Sequence, residues 1–541
     1  MKNLLSCLLL AFLLCACGRG NEVCIYGGSS ACVTAAYAAA AEGSRVTVIC
    51  PDVTIGGMTT GGLGSTDIGN KKAVIGLARK FYRQLGEYYG TAEQWTFEPH
   101  VAEDILMTYL DNPRIKLMRG FYLDSVEKDG TVIKSITCRN KEGKSATIRA
   151  DQFIDCTYEG DLMAKAGVSY TVGREDNSVY GETHDGSQIS VWHQFRDGID
   201  PFVVKGDPGS GLLWGISDWK LKEPGTGDDF VQAYNYRLCL SNDPENQIPF
   251  TKPDNYDPSM YELLARVMEA DPDPRLSEYF IWSLMPNGKT DVNNRGPFST
   301  DMIGMNHNYP EASYEERERI IRAHKDYTMG LMYFYVSDPR VPACLRDEIS
   351  KWGYAKDEYA RTGNFTHQLY IREARRMKGE YVATQSDCEG RTSVTDGIGY
   401  AAYTMDSHNC ERIVVAGPDG KFMVKNEGDV EIGGGNPYPV SYRSVTPRRE
   451  ECTNLLVPVC LSASHIAYGS IRMEPVFLGL GQACGIAASL AGKGSVQEVD
   501  VARIQRVLEE DPYMDGTGPV SPVDSLIDEA DRPIPRFPKA I

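Results

Sequence analysis

Several things are scarce or missing in this 541-residue chain, and each absence removes a class of function. Positive charge is in deficit: 56 Lys and Arg face 74 Asp and Glu, a formal net charge of −18. Nucleic-acid binding rests on neutralising phosphates, so no nucleic-acid partner is expected. The 15 cysteines contain no C-x-x-C pair, so the common zinc and four-iron cluster spacings are absent and no metal site is expected. Outside the extreme N-terminus no tract stays apolar for the roughly 18 residues of a membrane span. There is no internal repeat, no low-complexity segment and no twin-arginine signal. Histidine is rare, at eight residues, so candidates for proton transfer are few.

What is present begins with a targeting segment. Lys2 precedes an apolar run over 4–14 (LLSCLLLAFLL), too short to span comfortably. Leu14-Cys15-Ala16-Cys17, followed by Gly18, resembles the bacterial lipobox. That resemblance makes 1–17 a lipoprotein signal with a lipid anchor at Cys17. It implies an exported protein held in the bacterial envelope, at the outer membrane or the periplasmic face. A plain secretory signal cut elsewhere is the alternative. Twelve cysteines follow Cys17, several in apolar contexts, and are expected mostly as free thiols.

At roughly 150 residues per domain the remainder has room for two to four domains. Glu22–Tyr26 reads as a buried strand, Gly27-Gly28 as a break, 31–41 as an alanine-rich helix, and Arg45–Cys50 as a second buried strand. This is one βαβ unit. Residues 75–110 read as helical and 115–154 as antiparallel strands with turns near Gly130 and Gly143. Residues 171–390 are rich in Pro, Asp, Tyr and Asn, with helices predicted at 258–269, 312–333 and 368–378. The spacing therefore divides the chain into a cofactor unit over 22–170, an inserted substrate domain over 171–390, a second cofactor part over 391–495, and a C-terminal helix and tail over 496–541. The expected fold is α/β: a Rossmann-like domain, a parallel sheet with antiparallel crossover strands, plus a large inserted α+β domain.

Four motifs carry chemistry. Gly27-Gly28-Ser29-Ser30-Ala31-Cys32 opens the first helix in the slot of G-x-G-x-x-G, where bare backbone and a positive helix end suit a pyrophosphate. The acid expected at the end of the second strand is replaced by Cys50, and Asp52 lies two residues on. Gly56-Gly57-Met58-Thr59-Thr60-Gly61-Gly62-Leu63 has little bulk and could lay backbone along a flat ring or a phosphate. Asp155–Asp161, with Thr157 inside it, follows a short strand. Arg472-Met473-Glu474-Pro475 precedes Gly479-Leu480-Gly481-Gln482, where a helix start could stabilise a reduced flavin; tight helix packing explains the same glycines.

In this order the motifs resemble the glutathione-reductase-type FAD folds. More closely they resemble the FAD-dependent oxidoreductase family related in its flavin domain to the flavin-carrying chain of heterodisulfide reductase, over about 22–495. The resemblance implies FAD as cofactor, with Gly27, Gly28, Ser29 and Ala31 cradling its pyrophosphate. It implies 57–62 under the flavin, and Asp161 with Gly481-Gln482 closing over it. Iron–sulfur clusters of those relatives do not carry over, since the cysteine spacings differ.

A flavin oxidation needs a base while hydride leaves for N5. His465 and His408 flank the C-terminal flavin motif and are the candidates, each with a structural role as the alternative. His193 and His367 lie in the insertion. Arg372, Arg375 and Arg376 share overlapping faces of the helix expected at 368–378 and could clamp a polar substrate; a salt-bridged face fits equally. Tyr442 could join the same pocket. The leading expectation is an FAD-dependent oxidoreductase moving a hydride between flavin and a small polar molecule, including carbohydrate derivatives, with an unknown electron acceptor. The alternatives are a non-enzymatic, glycan-binding lipoprotein on a degenerate flavin fold and a flavin electron-transfer component of the heterodisulfide-reductase-like type.

Overall fold

The computed structural model describes residues 21–417 and 420–539, so the expected targeting segment and Cys17 lie outside the described residues. β1 (Glu22–Tyr26), α1 (Ser30–Ala41) and β2 (Arg45–Cys50) form the first βαβ unit. α2 (Gly76–Tyr89) and α3 (Pro99–Leu110) follow, then β3 (Ile115–Arg119). An antiparallel sheet of β4 (Phe121–Asp129), β5 (Val132–Asn140) and β6 (Ser145–Arg149) crosses over to β7 (Gln152–Asp155) and the short α4 (Asp161–Lys165). The parallel sheet has the order β8-β7-β1-β2-β3, with β8 (Leu455–Leu456) arriving from the far end of the chain. The expected Rossmann-like class is what the chain adopts.

The chain leaves this unit at Tyr170–Thr171 and returns at Arg376–Met377, and these two segments pair antiparallel. Between them lies an antiparallel sheet in the order 247–248, 353–355, 238–241, 289–294, 280–285. Against it runs α5 (Tyr314–Ser337), started by Ser313, whose hydroxyl accepts from the Glu316 N–H. Tyr327, Leu331, Phe334 and Tyr335 of α5 are buried.

Two sequence expectations are corrected here. Residues 368–378 are not a helix: Tyr370 bridges Asn235 antiparallel, and Arg376–Met377 is a strand. The arginine spacing suits a helix, but each guanidinium has a buried partner in a different direction. Nor does the inserted unit end at 390. The paired strands Glu411–Ala416 and Phe422–Glu427 belong with it, since Glu427 pairs with Arg174 and Asn426 donates to the His193 carbonyl.

α6 (His465–Ile471), α7 (Glu474–Ala491) and α8 (Val501–Glu510) complete the fold. α7 is apolar enough to cross a membrane, but 78% of it is buried against the protein, which makes it a core helix. It lies on α1 through small residues. A Cβ on Gly481 would sit 2.3 Å from the Ala31 carbonyl oxygen, and one on Gly485 2.3 Å from that of Ala35. The twelve described cysteines are free thiols, all but Cys344 and Cys388 buried.

Candidate cofactor and active site

The turn after β1 is built for close approach. Gly27 has φ +133°, and a Cβ there would meet the Cys156 carbonyl at 2.4 Å. Ser29 sits at the N-cap of α1 yet does not cap it: its hydroxyl donates to the Cys156 carbonyl at 2.7 Å. The positive end of α1 is thus left without a side-chain cap, the arrangement an anion requires. Cys50 plays a packing role, with its thiol under Gly28 and donating to the Thr54 carbonyl.

Beyond this turn opens a cavity of about 900 Å³. Gly28, Ser29, Asp52, Thr157 and Asp161 line one side. Tyr309, Tyr314 and Arg317, from the inserted unit, line the other, and the strip 367–371 contributes His367, Gln368, Leu369 and Ile371. The volume, the uncapped helix and the glycine approach together fit an FAD-sized dinucleotide.

The second glycine loop is closely packed. Gly57, Met58, Thr59, Gly61 and Gly62 sit one layer behind the cavity. A Cβ on Gly57 would strike the Tyr158 hydroxyl at 2.2 Å, one on Gly61 the Gln368 side chain, and one on Gly62 the Arg237 carbonyl. Met58 is fully buried, and its N–H donates to the Tyr158 hydroxyl. Protein, rather than open space, covers the faces on which side chains would grow.

Glu474 ties these layers together. Its carboxylate accepts from Ser30, from Thr59 at 2.7 Å and from Tyr158 at 2.6 Å. Burial raises its pKa, and the three hydroxyls oppose that. It therefore fixes the start of α1, the glycine loop and the β7 turn relative to one another. Gly481 and Gln482 are packed between helices. Gly481 lies in the α1–α7 seam against Ala31, and Gln482 accepts from the Leu77 N–H and donates to the Pro512 carbonyl. Neither lines the cavity. Arg472 donates to Asp406 at 3.0 Å and to the Tyr370 hydroxyl.

The cavity wall is charged. Asp161 accepts from Arg317 at 2.8 Å and Arg375 at 2.9 Å; burial alone would raise its pKa, but the two guanidinium groups hold it below the ordinary carboxylate value. Glu159 accepts from Tyr309, and desolvation lifts it to about 7 against the pull of Arg317. His367 has a buried Nε2 with no protein partner, and desolvation lowers its pKa to about 4, so the ring is neutral.

The predicted acid–base histidines separate cleanly. His465 is sealed, 2% exposed, with Nδ1 on Glu373 at 2.8 Å and Nε2 on Ser407 at 3.0 Å. His408 is 12% exposed, with Nδ1 on Asp301 at 2.8 Å and Nε2 3.6 Å from Asp406. Arg372 reaches Asp301 at 2.9 Å and stacks over the Tyr370 ring at 4.8 Å. Arg375 donates to Asp161, which lines the cavity. Tyr442 does not join a pocket: its buried hydroxyl donates to the Val496 carbonyl and fastens the C-terminal segment. Within the strip, Leu369 and Ile371 face the cavity, while Tyr370 and Arg372 hold the cluster of Asp301, Asp406, His408 and Arg472. Tyr309, Tyr314, Arg317 and His367 were not legible as cavity residues in the sequence, because only the tertiary fold brings them to the cofactor turn.

A parallel dinucleotide-binding sheet, an uncapped helix at its carboxyl edge and a cavity of this size define an oxidoreductase of the flavin-binding class. The chain belongs to the FAD-dependent oxidoreductase family, whose pattern matches residues 22–508, and FAD is its cofactor. No curated protein matches it. Among solved structures, Thermovibrio ammonificans THI4 is similar at 15% identity over 32% of this chain and 72% of that one, with a TM-score of 0.22. The p-nitrophenol 4-monooxygenase PnpA from Pseudomonas putida DLL-E4 shares 13% identity over 30% of this chain and 50% of its own, with a TM-score of 0.21. L-proline dehydrogenase from P. horikoshii shares 18% over 29% and 25%, with a TM-score of 0.17.

Proposed function

We propose that the protein oxidises a small polar organic molecule, of the carbohydrate-derivative class, with the His408–Asp301 pair taking the proton. Bound FAD supplies the two-electron acceptor. The carrying observation is that His408 alone of the two predicted bases keeps partial exposure while a buried carboxylate fixes its ring. Asp301 orients Nδ1, which leaves Nε2 to face Asp406 or a substrate hydroxyl. Arg372 and Arg472 neutralise the two aspartates and hold the cluster on the strip whose other face lines the cofactor cavity. A polyhydroxyl ligand suits this mixture of carboxylate acceptors and guanidinium donors. We further propose that the chain is exported and anchored through lipid at Cys17.

The test is anaerobic reduction of the bound flavin by a panel of sugars, sugar alcohols and amines, followed as loss of the yellow absorbance. His408→Asn should keep the flavin and lose roughly 10²-fold or more of the reduction rate. A wild-type flavin that no member of the panel bleaches would count against the substrate class. A His408→Asn protein with undiminished rate and an unaltered pH profile would remove His408 from the chemistry.

A further inference from the structure

The chain has six tryptophans, and five of them pack against another ring. Trp95 stacks on Tyr82, Trp214 on Tyr327, Trp219 meets Phe230 edge-on, and Trp282 and Trp352 meet each other. Trp192 is the exception. It is 58% exposed, and among the described residues no ring or cation lies on its indole and nothing accepts its Nε1–H.

Its backbone is nevertheless fixed. The Trp192 N–H donates to the Ser190 hydroxyl at 3.0 Å. His193, next in the chain, has a left-handed φ of +47°, which a residue with a Cβ adopts only where its surroundings impose it. Here Nδ1 of His193 is 3.1 Å from the buried Asp429, and its carbonyl accepts from Asn426 at 2.8 Å. A large apolar ring is thus held in water on a rigid turn, where most tryptophans are mainly buried.

That turn stands beside the His408 cluster. Residues 405–407 and 430–432 pair antiparallel, with Asp406 opposite Glu431 and Ser407 opposite Val430. The next pair in this register is His408 and Asp429, so His193 binds the residue that faces His408. Alternation puts Asp406, His408 and Glu431 on one face, and His408 Nε2 lies 3.6 Å from Asp406. Burial alone would raise the Asp301 pKa; Arg372 and His408, with His193 behind them, hold it below the ordinary carboxylate value. Glu431 is exposed and accepts no hydrogen bond among the described residues. A sugar ring has a surface for each of these groups: an apolar C–H face for the indole and rim hydroxyls for the carboxylates.

We propose that Trp192 is the platform on which the substrate ring stacks, its rim hydroxyls donating to Glu431 and turned toward His408. The assignment rests on the reading of His408 as the base and narrows the substrate class to ring sugars, since an open-chain polyol has no flat apolar face to lay on the indole.

The experiment measures binding rather than turnover: calorimetric titration of the oxidised full-length holoenzyme with hexoses, hexosamines, their methyl glycosides and the open-chain hexitols. At least one ring sugar should bind, and more tightly than any hexitol. Trp192→Ala should weaken that sugar by about fivefold or more, and Trp192→Phe should recover most of the loss. Val191→Ala, at the neighbouring side chain, which is 85% exposed, should weaken it far less. The proposal is overturned if no ring sugar binds the wild type at millimolar concentration or if Trp192→Ala costs less than about fivefold. It is overturned equally if Val191→Ala weakens the sugar as much as Trp192→Ala does, the pattern of an unspecific apolar surface. A sugar that binds through Trp192 yet never bleaches the flavin would support the platform and remove the oxidation assigned to His408, so the two failures are distinguishable.

Discussion

Single residues carry unequal weight around the cofactor. Glu474 accepts three hydroxyl hydrogen bonds from three different segments, and its removal strands three buried donors. Glu474→Ala should cost at least about 2 kcal/mol, since each unsatisfied buried group costs about 1–3 kcal/mol. Thermal melting and the flavin-to-protein absorbance ratio would both fall, and Glu474→Gln would be milder. Glu159 makes a pH prediction. Its folded pKa, near 7, lies above that of the free side chain, so the folded state holds the proton more tightly. That contribution is complete in acid and is lost as pH rises through about 7. The apo protein should melt lower at pH 8 than at pH 5.5, and Glu159→Gln should flatten the difference. Much of this was readable from sequence as position but not as role. Ser29 and Asp52 were expected at the cofactor and line the cavity, whereas Gln482 was expected there and anchors helices instead. A motif specifies a local turn; it does not specify which neighbour later covers it.

At the scale of elements, the α1–α7 seam is the sensitive joint. Gly481 leaves no room for a methyl group against the Ala31 backbone, while Gly479 on the same helix has nothing within 4 Å of its missing Cβ. Gly481→Ala should therefore destabilise by about 1–3 kcal/mol through overpacking and loosen FAD. Gly479→Ala should be neutral or stabilising by about 0.5–1 kcal/mol, as helix propensity dictates. Chemical denaturation of the pair measures both. Periodicity revealed the βαβ unit, the crossover hairpin and α5, because each buries one face in a regular rhythm. It misled at 368–378. Tyr370 and Arg372 point one way and Leu369 and Ile371 the other, a strand alternation masked by charged residues whose partners, Asp301, Asp161 and Glu175, lie far off in the chain.

The whole molecule is a cofactor unit interrupted by a large inserted one, and the proposed lipid anchor at Cys17 is tested at this scale. Cys17→Ser should shift the protein from the membrane fraction to the soluble envelope fraction after cell lysis. Retention in the membrane fraction would argue for some attachment other than lipid at that position.

The hydrogen bond between Ser30 and Glu474 joins positions 444 apart. Until Glu474 is in place, Ser30 at the start of α1 lacks the acceptor it shares with Thr59 and Tyr158. A product terminated before Glu474 is therefore expected to stay colourless however much of its parallel sheet had formed.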